Sequence, residues 1–255
     1  MARFQVGIQL QPQHTTMTDL REAWRAADAM GVDSIWTWDH FYPLYGEPDG
    51  AHFEGWVTLS AMAADTTSAK VGMLVTGNTY RNPDLLADMA RTLDHVSGGR
   101  AYLGLGAGWF ERDYAEYGYE FGTAGSRLRE LEASLERITA RISRLQPPPL
   151  GRLPVLVGGG GEKVTLRLVA RYADAWNTFG PSESYAHKSG VLDRWCAEVG
   201  RDPSEIERTV AISGPEIDGV DAYLEAGATH VILMQGAEGP FDLADLQRLL
   251  DRRDA

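Results

Sequence analysis

His40 follows Asp39 at the end of the run Trp36-Thr37-Trp38. An imidazole there could give or take a proton near neutral pH. Strand alternation would put Asp39 and His40 on opposite faces unless the strand has already ended; a histidine capping a rim is the plainer reading. Farther on, Thr76-Gly77-Asn78-Thr79 offers hydroxyl and amide groups beside backbone that a flat ring could approach, or is an ordinary turn. Gly104-Leu105-Gly106-Ala107-Gly108-Trp109 alternates glycine at a strand end, with Glu111, Arg112 and Tyr114 directly after it. A dinucleotide fingerprint would need a helix opening on the last glycine and an acid about 20 residues on, which Trp109-Phe110 fits poorly. Gly158-Gly159-Gly160-Gly161-Glu162-Lys163 is the most specific of the four: successive glycines leading into a helix make a nest of N–H groups for an anion. Lys163 and Thr165 could add donors there, and the Walker spacing is absent. Together the four suggest a phosphate site on one side of a site and a ring platform on the other, lined by Trp38, Trp109 and Tyr80. The same aromatics could equally be packing.

The elements that must position these groups alternate from end to end. Apolar strands are expected at 4–10, 34–40, 71–76, 101–105, 154–157, 175–178, 206–212 and 230–234. Helices are expected at 19–30, 56–64, 82–97, 126–145, 162–172, 182–199, 220–226 and 243–250. The third helix has the clearest start: Asn82 as cap, Pro83 in the first turn, Asp84 against the dipole. Eight βα units are what a closed (β/α)8 TIM barrel of the α/β class requires, and the 255 residues suit one such domain over 1–255. Functional groups then belong at the C-terminal ends of the strands.

The bulk properties exclude more than they assign. A net charge of −12 argues against nucleic acid as a partner, so an anionic ligand would need a local cluster of cations and N–H groups. Cys196 is the only cysteine, which rules out an internal disulfide and a cysteine metal site and fits a reducing cytosol. It reads as a small apolar filler. Met1-Ala2-Arg3-Phe4 runs straight into a strand pattern, and no apolar stretch approaches ~18 residues, so neither a leader nor a membrane span is expected and the location is read as cytoplasmic. The six histidines form no close His-x-His pair, so a metal-dependent hydrolase is disfavoured and no metal is expected.

Longer stretches carry a resemblance. Gly31 to His40 (GVDSIWTWDH), Thr76 to Pro83 (TGNTYRNP), Leu93 to Arg100 (LDHVSGGR), Gly104 to Glu111 (GLGAGWFE) and Pro154 to Asn177 resemble the luciferase-like monooxygenase superfamily, over most of residues 1–180. The wording is most similar to the branch that uses the deazaflavin coenzyme F420. The resemblance implies a (β/α)8 barrel, hydride transfer between carbon 5 of the deazaflavin and a small organic substrate, and a ring held against a third-strand bulge with a non-prolyl cis peptide. That bulge maps to Met73-Leu74-Val75 with Thr76 beside it. The acid–histidine pair maps to Asp39 and His40, and the phosphate loop to Gly160 and Gly161 with Gly159 and Lys163 as neighbouring donors.

On that resemblance His40 is acid or base, Asp39 orients or polarises the site, and Glu111 is a candidate second acid. Leu74, Val75, Thr76, Gly106, Gly108 and Trp109 join the loop residues as candidate cofactor contacts. FMN-dependent monooxygenation on the same fold is the alternative, and a degenerate cofactor-binding member a further one. One departure bears on both: family members usually carry an extra segment before the fifth strand, whereas here only Gln146 to Leu153 join Leu145 to Pro154. The compact tail is a second. The partner expected is a small-molecule substrate, and the resemblance allows a homodimer.

Overall fold

The computed structural model describes residues 3–255. Met1 and Ala2, where no leader was expected ahead of the first strand, lie outside the described residues.

Every paired strand runs parallel, and the sheet closes on itself. β1 (Gln5–Leu10) pairs with β2 (Ser34–Thr37) and β9 (His230–Gln235). From β2 the order continues through β3 (Lys70–Met73) and β5 (Ala101–Gly106) to β6 (Val155–Gly158), β7 (Ala175–Phe179), β8 (Glu207–Ile212) and back to β9. β4 (Thr76–Gly77) continues β3 after a break and also pairs with β5, so the nine segments make eight staves of a (β/α)8 barrel.

The break has a definite register. Gly72 lies opposite Tyr102 and Thr76 opposite Leu105, so four steps along the broken stave match three on β5. One extra residue is a bulge. The Leu74–Val75 peptide within it is cis, as the resemblance implied. Glycines make the room. A Cβ on Gly104 would lie 1.9 Å from the Met73 carbonyl oxygen, and one on Gly106 or Gly158 would lie 2.6 or 2.8 Å from a Val75 methyl. The glycine alternation at the end of the fourth stave therefore accommodates protein before any ligand.

Helices wrap the outside: α1 (Met17–Ala29), α2 (Gly55–Asp65), α3 (Pro83–Ser97), α4 (Glu111–Tyr117), α5 (Ala124–Ile142), α6 (Thr165–Tyr172), α7 (Ser182–Val199), α8 (Val220–Glu225) and α9 (Ala244–Asp254). α3 starts as its sequence dictates, with Asn82 accepting from the Asp84 and Leu85 N–H groups. Cys196 is a buried free thiol packed in the main core. A smaller cluster of Trp36, Leu74, Tyr102, Leu156, Ala175 and Ile232 fills the barrel interior.

At the N-terminal end of the barrel the interior is polar. The Lys70 ammonium donates to the Tyr102 hydroxyl at 3.2 Å, and Tyr102 donates to Glu207 at 2.6 Å. Glu207 meets His230 Nδ1 at 2.7 Å, His230 Nε2 meets Ser34 Oγ at 2.8 Å, and Trp36 Nε1 donates to Ser34 at 2.6 Å. Burial pushes the Glu207 carboxyl up, but the hydrogen bonds from His230 and Tyr102 more than offset it and hold the group below its usual range.

Three expectations need correction. The second strand stops at Thr37 rather than His40, so Asp39 and His40 sit in the loop that follows. The stretch after Trp109, read as a long loop, contains α4, which starts without a side-chain cap and ends on Gly118 in the left-handed region. α6 starts at Thr165, not Glu162, so the glycines reach it through a turn at 162–164.

Candidate active site

A cavity of about 350 Å³ opens at the C-terminal ends of the strands. Its buried surfaces come from Gln9 on β1, the Leu74–Val75 bulge, Thr76 on β4 and Asn177 on β7. Its opening is ringed by exposed aromatics: Tyr45, Trp109 and Phe179 are each more than 60% exposed. Among the described residues no lysine, arginine or glutamate lines it. The Thr76 hydroxyl is buried there without a hydrogen-bond partner, as is the carbonyl oxygen of the nearby Asn78 side chain. Gln9 donates to the Leu74 carbonyl at 2.6 Å and so ties β1 to the bulge.

His40 stands at the edge of this space. Its Nδ1 lies 2.7 Å from Asp113 Oδ2, and that carboxylate is wholly buried. Asp113 also accepts from the Phe41 N–H at 3.1 Å and from the Tyr80 hydroxyl at 3.1 Å. Burial and the Asp113 charge push the Tyr80 phenol well above its usual range, so it stays a neutral donor. With Nδ1 held by the carboxylate, Nε2 is the free nitrogen of the imidazole. The edges and faces of Trp38, Trp109 and Phe110 surround the ring at centroid distances of 5.7, 5.8 and 5.5 Å.

Asp39 is held differently. One oxygen accepts from the Gly77 N–H at 3.0 Å and from Arg81 at 2.5 Å, the other from Arg81 at 2.9 Å. Arg81 reaches on to Glu54 at 3.0 Å. Burial pushes the Asp39 carboxyl up to about 6, against the pull of Arg81 and the Gly77 N–H, so the group is ionised at neutral pH. Both oxygens are engaged, which makes Asp39 an anchor between the loop after β2 and the turn after β4 rather than a free acid. Next to it, Trp38 Nε1 donates to His52 Nε2 at 3.0 Å. Burial, with the nearby His40, lowers His52 to about 4, so it is a neutral acceptor.

Of the residues singled out from sequence, Asp39, His40, Leu74, Val75, Thr76, Gly106, Gly108, Trp109 and Gly159 meet around one cavity. Gly108, at φ +81°, also leaves space that the Tyr114 hydroxyl occupies. Glu111 does not join them; it opens α4 in an exposed position. Gly160, Gly161 and Lys163 lie off the cavity lining, and Lys163 is exposed. Two residues escaped the sequence reading. Asp113 lies within a stretch read as loop, two residues beyond the Glu111 that was singled out. Lys188 comes from α7, 27 positions after Gly161 in the chain, and its ammonium lies 2.6 Å from where a Gly160 Cβ would stand. Among the described residues no cluster of histidine, cysteine, aspartate and glutamate could hold a metal, and no helix is long and apolar enough to cross a membrane.

The closed barrel has counterparts of known structure. An F420-dependent secondary alcohol dehydrogenase in complex with an F420–acetone adduct aligns with a TM-score of 0.84 at 18% identity over 98% of each chain. A coenzyme F420 dependent tetrahydromethanopterin reductase from Methanopyrus kandleri gives 0.76 at 16% over 98% of each. The oxygenating constituent of a Pseudomonas putida diketocamphane monooxygenase in complex with FMN gives 0.65 at 18%, over 84% of this chain and 67% of that one. At such identities the likeness is one of fold. In sequence, a phthiodiolone/phenolphthiodiolone dimycocerosates ketoreductase of Mycobacterium tuberculosis is 30% identical over 247 residues. That match covers 81% of this chain and 64% of the relative, so the chain spans less than two thirds of that protein's length. The family described as luciferase-like monooxygenase matches residues 1–214, and with that much of the barrel matched the chain belongs to the luciferase-like monooxygenase family.

Proposed function

We propose that the chain is an oxidoreductase that binds coenzyme F420 in the cavity and moves hydride between carbon 5 of the deazaflavin and an uncharged small organic substrate. The observation that carries this reading is His40, held by the buried Asp113 at the edge of a cavity otherwise free of available charge. The residues present fit a flat ring. Gly159 leaves main chain open, since a Cβ there would meet nothing closer than a Thr165 methyl at 3.4 Å, and the Thr76 hydroxyl waits without a partner. Two of the structural neighbours are F420-dependent enzymes, and the 30% identical relative is a ketoreductase.

Bound F420 supplies a two-electron hydride carrier. Reducing a carbonyl also consumes one proton, which His40 Nε2 donates to the oxygen and recovers in the reverse direction. Asp113 fixes the tautomer and steadies the charged imidazole. Trp38, Trp109 and Phe110 keep water from the transfer. Asp39, already paired with Arg81, holds the loop that carries His40, and Glu111 takes no part.

Titration of the purified protein with coenzyme F420 and with FMN, followed by ring absorbance and fluorescence, tests the reading. Selective F420 binding with carbonyl-dependent oxidation of the reduced form is the expected result. FMN-dependent monooxygenation is the second reading, favoured by the FMN complex among the structural neighbours. Selective FMN binding, with oxygen consumed by reduced FMN, would replace the first by the second. Binding of neither would overturn both and leave a degenerate member.

A further inference from the structure

Two groups share one oxygen of the carboxylate behind His40. Asp113 Oδ2 faces His40 Nδ1 at 2.7 Å and also accepts from the Tyr80 hydroxyl at 3.1 Å, while Oδ1 takes the Phe41 N–H. His40 and Tyr80 come from separate parts of the chain, the loop after β2 and the turn after β4.

Tyr80 is fixed in this role. It is 5% exposed, and its ring packs on Phe41, Tyr114 and Tyr119 at centroid distances of 4.7, 5.0 and 5.4 Å. The Gly77 backbone closes another side, where an added Cβ would meet ring carbons at 2.5 and 2.6 Å. Because burial and the Asp113 charge hold the phenol far above its usual range, it stays a donor throughout the range in which an imidazole titrates. The neighbouring phenol cannot replace it, since Tyr114 is closed onto the Thr79 hydroxyl at 2.6 Å.

The direction of its influence follows from charge. A hydroxyl aimed at a carboxylate turns the positive end of its dipole toward that oxygen and draws off part of its negative charge. An imidazolium at the same oxygen then faces a weaker anion. The other titratable groups packed nearby are engaged or exposed. His52, stacked on Trp38, is lowered to about 4 by burial and is neutral at pH 7. Asp39 is closed by Arg81 and the Gly77 N–H. On α4, Arg112 pairs with Asp49 and Glu111 is exposed. The remaining walls around the imidazole are Trp38, Trp109 and Phe110.

We infer that Tyr80 is a positioning residue: by donating to the same Asp113 oxygen it loosens the hold of His40 on a proton, and so sets the upper pH limit at which His40 can act as the acid of carbonyl reduction. The inference rests on the proposed reading of His40 as the proton donor.

The test compares the wild type with Tyr80→Phe, which removes the hydroxyl and keeps the ring. Tyr114→Phe is the control, because it removes an adjacent buried hydroxyl that makes no hydrogen bond to Asp113. Two quantities are read in each protein. One is the NMR titration of the His40 imidazole, its signal assigned by its loss in His40→Ala. The other is kcat against pH for carbonyl-dependent oxidation of reduced F420. In Tyr80→Phe both should move up by about half to one pH unit, a fraction of what a hydrogen bond to a charged group is worth. In Tyr114→Phe both should stay in place. An imidazole titration that is unmoved or lowered in Tyr80→Phe overturns the inference. So does an equal upward move in Tyr114→Phe, which is the mark of a loosened site rather than of a lost donor. An imidazole that moves while the kcat profile does not overturns the reading of His40 as the acid and leaves the coupling through Asp113 standing. A wild type without F420-linked turnover overturns the proposed function, and the imidazole titration alone then decides for or against the coupling.

Discussion

Asp113 Oδ2 lies 2.7 Å from His40 Nδ1, although 73 positions separate the two in the chain. The contact joins the loop after β2 to α4, and the Phe41 N–H closes a second bond to the same carboxylate. Positioned acid–base groups contribute about 10²–10⁴-fold to a rate. His40→Ala is therefore expected to lower kcat by about 10²-fold or more while the cofactor dissociation constant moves less than about threefold. Asp113→Asn, which keeps the shape but not the charge, should lower kcat by a smaller factor in the same direction. Steady-state kinetics beside a binding titration separates the two effects; an unchanged kcat in His40→Ala would remove the assignment.

Arg81 and Asp39 make a different kind of pair. Breaking a buried ion pair on one side leaves an uncompensated charge and costs about 3–5 kcal/mol. Arg81→Met should destabilise the protein on that order in urea unfolding, and a second change, Asp39→Asn, should recover part of it. Independent, additive losses would mean that the two groups do not act together.

His52 gives a pH dependence whose sign is fixed. Its folded value of about 4 lies below the 6.5 of a free imidazole. Between those two values the unfolded chain holds a proton that the native protein lacks, so stability is full above 6.5 and is lost as pH falls toward 4. One proton sets a slope of up to about 1.4 kcal/mol per pH unit. Urea midpoints for the wild type and His52→Gln should lie close together near pH 7 and separate as pH falls toward 4, the wild type losing stability that the variant keeps, because the glutamine can accept from Trp38 without titrating. Parallel curves would contradict the assignment.

Two glycine-to-alanine changes should move stability in opposite directions. A methyl on Gly104 would meet the Met73 carbonyl oxygen at 1.9 Å, against backbone that cannot step aside. The variant should lose about 1–3 kcal/mol or more, together with ring binding. Gly190 sits within α7 with nothing within 4 Å of an added methyl. Gly190→Ala should gain about 0.4–1 kcal/mol. Thermal unfolding of both, with a ring titration of the first, checks the pair.

The alternation of apolar strands and amphipathic helices was enough to read the barrel, because each element buries one face and announces it by its period. Asp39, His40 and the bulge residues were legible from motif wording. Asp113 was not, because α4 is a seven-residue helix whose start lacks a side-chain cap and whose neighbours read as loop. Lys188 was invisible for another reason: nothing in the α7 pattern marks which exposed-looking cation folds back over a loop 27 positions earlier. The glycines near Trp109 were legible as places without side chains, but not as room for Val75 and Tyr114, since that depends on the register of a neighbouring stave.

The hydrogen-bonded chain from Lys70 to Trp36 closes the far end of the barrel. Among the described residues the cavity beside His40 is thus a cul-de-sac, its mouth framed by Tyr45, Trp109 and Phe179. Two guests that share a blind alley cannot pass one another: the one that lies deeper must arrive first and depart last. Turnover should then follow a compulsory order, visible as a product that competes with only one of the two reactants, and the slowest event can be a departure rather than the chemistry.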